Sequence, residues 1–160
     1  MANKKEVRVR IKSVRHEVEA ALFSDEDEIM IQNEESETEP EIMHINTLGT
    51  MTVENGRVEI SYEETEATGM DGSTTTVTYM LNQPNVISMI REGAVSTALV
   101  FEAEKRHHCM YRTPFMPFEV CVHTLKVANH LMDANNLMLD YIVEIRGARA
   151  ERTKFYMELL

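Results

Sequence analysis

The 160-residue sequence has no long apolar run: none approaches the ~20 residues that a helix needs to span a bilayer. Its first residues, Met-Ala-Asn-Lys-Lys-Glu-Val, lack the apolar stretch of a signal peptide. It also lacks a glycine-rich phosphate loop, a G-x-S-x-G elbow and an H-E-x-x-H helix motif. No cofactor is therefore expected. The two cysteines, Cys109 and Cys121, form no C-x-x-C motif, so in a cytoplasmic protein both are expected as reduced thiols.

Bases are missing from one place in particular. Residues 25–41 hold nine of the 27 acids and no lysine or arginine, leaving 18 acids against 16 bases elsewhere. The formal net charge of -11 thus belongs to one segment, read as a solvated, flexible stretch of a single domain. Phosphate backbones call for clustered Lys and Arg. The one basic run, Lys4, Lys5, Arg8, Arg10 and Lys12, instead alternates with Val7, Val9 and Ile11 as the outer face of a strand. Nucleic acid is not favoured as a partner, nor is a membrane.

What the sequence does contain is a rhythm of short strands and turns. Asn55-Gly56 suits a two-residue type I′ hairpin, which pairs Val53 with Val58, Met51 with Ile60 and Gly49 with Tyr62. Turns at Asp71-Gly72, residues 82–85 and Glu92-Gly93 follow, each setting the next register. They place Val77, Leu81, Val86, Ile90, Val95, Leu99 and Phe101 on the inner face, with Ile87 and Met89 outside. A loop over residues 103–106 and a five-residue connection over 113–117 then put His108, Met110 and Arg112 inward. Leu137, Leu139, Tyr141, Val143 and Ile145 alternate as a later strand, and Phe155, Met157 and Leu159 as the last. The abundant methionines, Met110, Met132, Met138 and Met157 among them, read as filling the core or an interface. The fold class is all-β: an antiparallel up-and-down meander of eight to ten strands, closed into a barrel because closure removes the exposed edges.

These registers concentrate polar groups in the barrel interior. Glu64, Tyr79, Ser88, Thr97 and Arg112 form one row, with Tyr62 and His108 near it. Such a band on an apolar wall suits the head group of a small amphipathic ligand. The plainer alternative is that Glu64 and Arg112 satisfy each other in a structural network. Two cysteines and two histidines, Cys109 opposite Cys121 and His107 opposite His123, make a weaker candidate for a metal centre on the outer face. The spacing matches no zinc motif, and a slip of one residue would disperse the set.

Three segments occur in order: Tyr62-Glu63-Glu64-Thr65, Arg91-Glu92-Gly93 and Tyr111-Arg112-Thr113-Pro114-Phe115, with Gly49, Phe101 and Tyr141 around them. From about Val7 to the C-terminus this set resembles the YwiB-like family of small bacterial proteins, a domain of unknown function with a calycin-type, lipocalin-like barrel. Met116 departs from it, standing where a glycine is expected, and the acidic stretch over 33–41 is longer than the family needs. The resemblance implies a fold and, by analogy only, ligand binding; it brings no catalytic residues. Three functions follow as expectations. The first is a non-enzymatic barrel for a small, partly apolar molecule. The second is an interaction or homodimerisation module using the acidic loop or outward Ile87 and Met89. The third is an enzyme built on Glu64, His108 and Arg112.

Overall fold

The computed structural model describes residues 3–18, 39–65, 72–145 and 150–160. Ten antiparallel strands close into one barrel. They are β1 (Asn3–Val18), β2 (Glu41–Glu54), β3 (Arg57–Glu63), β4 (Thr74–Met80) and β5 (Gln83–Glu92), then β6 (Ser96–Glu102), β7 (Arg106–Arg112), β8 (Pro117–His130), β9 (Asn136–Ile145) and β10 (Ala150–Leu159). Each strand pairs with its sequence neighbours, and β1 closes the ring by pairing with β10. No described residue is helical, and no helix is long and apolar enough to cross a membrane.

The Asn55-Gly56 hairpin forms as the dipeptide demands, with positive φ at both residues and the three expected pairs in register. Val7, Val9 and Ile11 point inward from β1 while Arg8, Arg10 and Lys12 stay exposed. Gly49 aligns with Val7 on one side and Tyr62 on the other. A Cβ there would stand 2.7 Å from the Ser61 carbonyl oxygen and 2.9 Å from Val9 Cγ2, so only glycine lets β2 pass.

The next registers differ from the sequence reading, each for a local reason. The β3–β4 connection is wider than Asp71-Gly72 alone, and Tyr62 pairs with Thr75 instead of Leu81. Asp71 and Glu66 lie outside the described residues. The β4–β5 turn is tighter than expected: Leu81-Asn82 form it, Met80 pairs with Gln83, and a bulge between Thr78 and Met80 shifts the ladder. That slip turns β5 over. Ile87, Met89 and Arg91 face inward, whereas Ser88 and Ile90 face out. Leu81 is exposed, and Val86 and Val95 are only partly buried. The longer β5–β6 connection restores the parity, so Thr97, Leu99 and Phe101 are buried as expected.

A second slip affects β7. Its preceding turn is compact, with Glu104 at φ 65° and the Lys105 amide donating to the Glu102 carbonyl. The following turn is one residue shorter than expected. The Thr113 hydroxyl donates to the Met116 carbonyl and accepts from the Phe115 and Met116 amides, so Arg112 pairs with Pro117. Cys109 therefore points inward, and His108, Met110 and Arg112 point out. From β9 onward the reading holds: Leu137, Leu139, Tyr141, Phe155, Met157 and Leu159 are buried. Met132 is exposed and Met138 partly buried. Of the acidic stretch, residues 25–38 lie outside the described residues; Glu39 and Pro40 are exposed, and Glu41 opens β2.

Candidate functional site

The two ends of the barrel differ. At one end Val58, Tyr79, Ile87, Phe101, Leu131 and Leu137 are buried in a continuous apolar core. The other end is formed by the last residues of the odd-numbered strands and the first residues of the even-numbered ones. It holds a cavity of about 180 Å³. Ile11, Ile45, Met89, Leu99 and Phe155 give it apolar walls, and Tyr62, Glu64, Arg91, Thr97, Tyr111, Tyr141 and Thr153 give it polar ones.

The polar wall follows directly from the register. Gly49, Tyr62, Thr75, Arg91, Thr97 and Tyr111 succeed one another as cross-strand partners from β2 to β7. Glu64 lies just past the end of β3, its amide donating to the Ser73 carbonyl at 2.8 Å. Its side chain turns into the barrel and the residue is 3% exposed. Oε1 accepts from the Thr75 hydroxyl at 2.6 Å and from Arg91 Nη2 at 3.2 Å. Oε2 is buried without a hydrogen-bond partner among the described residues, and so is Arg91 Nε. Arg15 stands on the opposite wall, 3.4 Å from Glu41 and 3.6 Å from Glu151.

Of the residues singled out by sequence, Tyr62, Glu64 and Thr97 line this cavity. Tyr79 is inward but belongs to the packed end. Ser88 faces outward from β5, and His108 and Arg112 are exposed on β7, with His108 Nδ1 2.7 Å from Glu119. The trio of Glu64, His108 and Arg112 is therefore not assembled. Arg91, which sequence reasoning passed over, is the arginine that faces Glu64. Its signal was its place in Arg91-Glu92-Gly93. The three segments behind the family resemblance, 62–65, 91–93 and 111–115, all reach this end of the barrel. Ile87 and Met89 are buried and cannot form an outer contact surface; among the described residues the most exposed large apolar one is Phe115 at 94%.

The four candidate metal ligands are separated by the register of β7. Cys109 pairs with Val120 in the core, while Cys121 pairs with His108 and His123 with Arg106 on the other face. Among the described residues no group of three or more His, Cys, Asp and Glu side chains is placed to hold a metal ion. Both thiols are free. Burial raises Cys109, and burial with the nearby Glu144 charge raises Cys121 to about 11, which keeps both protonated and unreactive near neutrality.

The phenols at the cavity are held in their neutral form too. Burial raises Tyr62 far above the usual phenol range, and the Glu64 charge adds to it. Burial likewise raises Tyr111, and it carries Tyr141 to about 12, with Tyr111 adding and a hydrogen bond to Thr153 opposing. Stability should therefore be independent of these groups below pH ~10, where folded and unfolded chains both keep the protons. As pH rises from there through about 12 the unfolded chain releases its Tyr141 proton first, and ~3 kcal/mol of stability is lost. The tyrosinate absorbance of the buried phenols and the circular dichroism, followed together against pH, should change in one transition. Tyr141→Phe should move that transition upward. Five phenols titrating near pH 10 in a chain that stays folded would contradict the buried placement.

No match was found among curated proteins. The crystal structure of the ywiB protein from Bacillus subtilis is similar, with a TM-score of 0.65 and 16% sequence identity over 97% of this chain and 92% of that one. At that identity the likeness speaks for the fold. The sequence model of a domain of unknown function, DUF1934, matches residues 28–157. That match takes in the strands from β2 to β10 and all three segments that meet at the cavity, and the chain belongs to the DUF1934 family.

Proposed function

We propose that the barrel is a non-enzymatic receptor for one small, partly apolar molecule, seated in the cavity at its polar end. The observation that carries this reading is the cavity itself, whose apolar walls of Ile11, Ile45, Met89, Leu99 and Phe155 are interrupted by Tyr62, Thr97 and the Glu64–Arg91 ion pair. A concave, largely apolar site with a few convergent polar groups is the usual form of a small-molecule site. The size is restrictive. At about 180 Å³ the space is smaller than the ~300 Å³ at which drug-sized sites begin, so the occupant is a fragment rather than a lipid or a porphyrin. The groups around it favour binding over catalysis, since the phenols are raised away from their reactive form.

Native mass spectrometry of protein purified without denaturation tests this. A retained small mass is expected, and Thr97→Phe, which fills the cavity, should abolish it. Absence of any retained mass, together with unchanged Met89 and Leu99 methyl resonances across a panel of one-ring compounds, would overturn the reading.

A further inference from the structure

We infer that the outer face of β5, β6 and β7 is the interface of a two-fold homodimer. The two register slips create this face. The bulge before β5 buries Ile87 and Met89 and turns Ile90 outward. The shifted β7 does the same for Met110 and Arg112. Ile90 pairs with Ala98 on β6, and both share a shallow groove with Met110 and Arg112. Ile90 is 39% exposed and Met110 47%. Just beyond Arg112, Phe115 and Met116 stand out from the β7–β8 turn. Large apolar side chains gathered on one face point to an association surface, whereas single ones scattered over a barrel do not. The charged side chains keep to the rim. Glu92 ends β5, Arg112 ends β7, and His108 pairs with Glu119 beside Met110. An apolar centre within a polar rim is the usual anatomy of an interface.

The pattern fits a second copy of this chain. Arg112 pairs with Ser96, and Arg91 pairs with Thr97, so Glu92 and Arg112 lie at one level on either side of β6. Ile90 and Met110 lie on either side of β6 at the next level, with the small side chain of Ala98 between them. A two-fold axis running along β6 lays β5 of each copy over β7 of the other. Glu92 of each copy then meets Arg112 of the other, Ile90 meets Met110, and the two Ala98 methyls meet at the axis. Such self-complementarity is what a two-fold interface requires. Neither Glu92 nor Arg112 has an ion-pair partner among the described residues, so both are available to a second copy. The net charge of -11 opposes association in general, but at this level of the rim one acid and one base offset each other.

Sedimentation velocity of the full chain at low salt, from about 1 μM to about 1 mM, tests this. A reversible dimer is expected, with a dissociation constant on the order of 10–100 μM, because a face three strands wide is small for a specific interface. At about 1 μM the chain is then a monomer, and stability measured there is free of the contact. Ala98→Lys, which puts a charge on the axis, should abolish the dimer. Glu92→Lys and Arg112→Glu should each weaken it about tenfold, since the two-fold turns two attractions into two repulsions at once. Mixed one to one, these two variants should associate as tightly as the unaltered chain, because both contacts are attractive again. All three positions are exposed. Should Ala98→Lys nevertheless misfold, the mixing experiment decides. A monomer up to about 1 mM would leave the face to a different partner and overturn the proposal. So would a dimer indifferent to Ala98→Lys, which joins the copies elsewhere, or charge variants that do not recover on mixing.

Discussion

Arg91→Met is expected to cost ~3 kcal/mol of folding free energy, read as a fall in the urea midpoint at unchanged slope. The guanidinium is the only cation within ion-pair distance of Glu64 among the described residues, and the Glu64 side chain is 1% exposed. Removing it strands a carboxylate whose other partner is one Thr75 hydroxyl. The Arg91 side chain is 22% exposed, so some water reaches it and the cost falls at the lower end of the 3–5 kcal/mol range for broken buried pairs. Replacing both residues, Glu64→Met with Arg91→Met, should cost less than Arg91→Met alone, because no charge is then left unpaired. A double-mutant cycle reads that sign directly. Arg112→Ala, by contrast, should stay within ~0.5 kcal/mol of the unaltered chain, since Arg112 is exposed on β7. A large loss at Arg112 with none at Arg91 would mean that the β5 and β7 registers are wrong.

Arg91 and Arg112 show where the sequence is legible and where it is not. A strand's inner face follows from its turn, and a turn shows in the sequence when its chemistry is intrinsic. Asn55-Gly56 fixes β2 and β3 because few other dipeptides adopt positive φ twice. The turn before β5 has no such signature. Its compactness depends on a bulge between Thr78 and Met80, and Pro84, which suggested a turn residue, lies inside the strand. The β7–β8 turn is shortened by one threonine hydroxyl making three hydrogen bonds, which nothing in the order of Thr113-Pro114-Phe115-Met116 announces. Each slip is a single residue, and with a period of two a single residue exchanges inside for outside. The consequence for the site is specific. Glu64, Tyr62 and Thr97 were found from the sequence, and their partner Arg91 was hidden because Ser88 took its place on the inner face.

Phe101→Ala is expected to cost ~3–5 kcal/mol, the usual range for truncating a buried phenylalanine. In a chain of this length that corresponds to a fall in Tm of roughly 6–20 °C. The side chain is wholly buried on β6, opposite Ile87 on β5, and its ring lies 4.5 Å from that of Tyr141 between centroids, at 51°. Tyr141 lines the cavity, so Phe101 supports the cavity floor from the packed half of the barrel. Truncation should open a void beneath Tyr141 that does not collapse, because the strands on either side are held by their ladders. Two readouts then separate. Stability falls, and benzene, which needs apolar volume alone, binds more tightly to Phe101→Ala than to the unaltered chain. Met110→Ala serves as the contrast. The loop read over residues 103–106 puts Met110 inside as well, but the shifted β7 exposes it, and its truncation should change stability by no more than ~0.5 kcal/mol. Equal losses at Phe101 and Met110 would return β7 to the register read from sequence and remove Tyr111 from the cavity wall. A large loss at Phe101 alone, with benzene bound more tightly, is the result expected of a barrel filled at one end and open at the other.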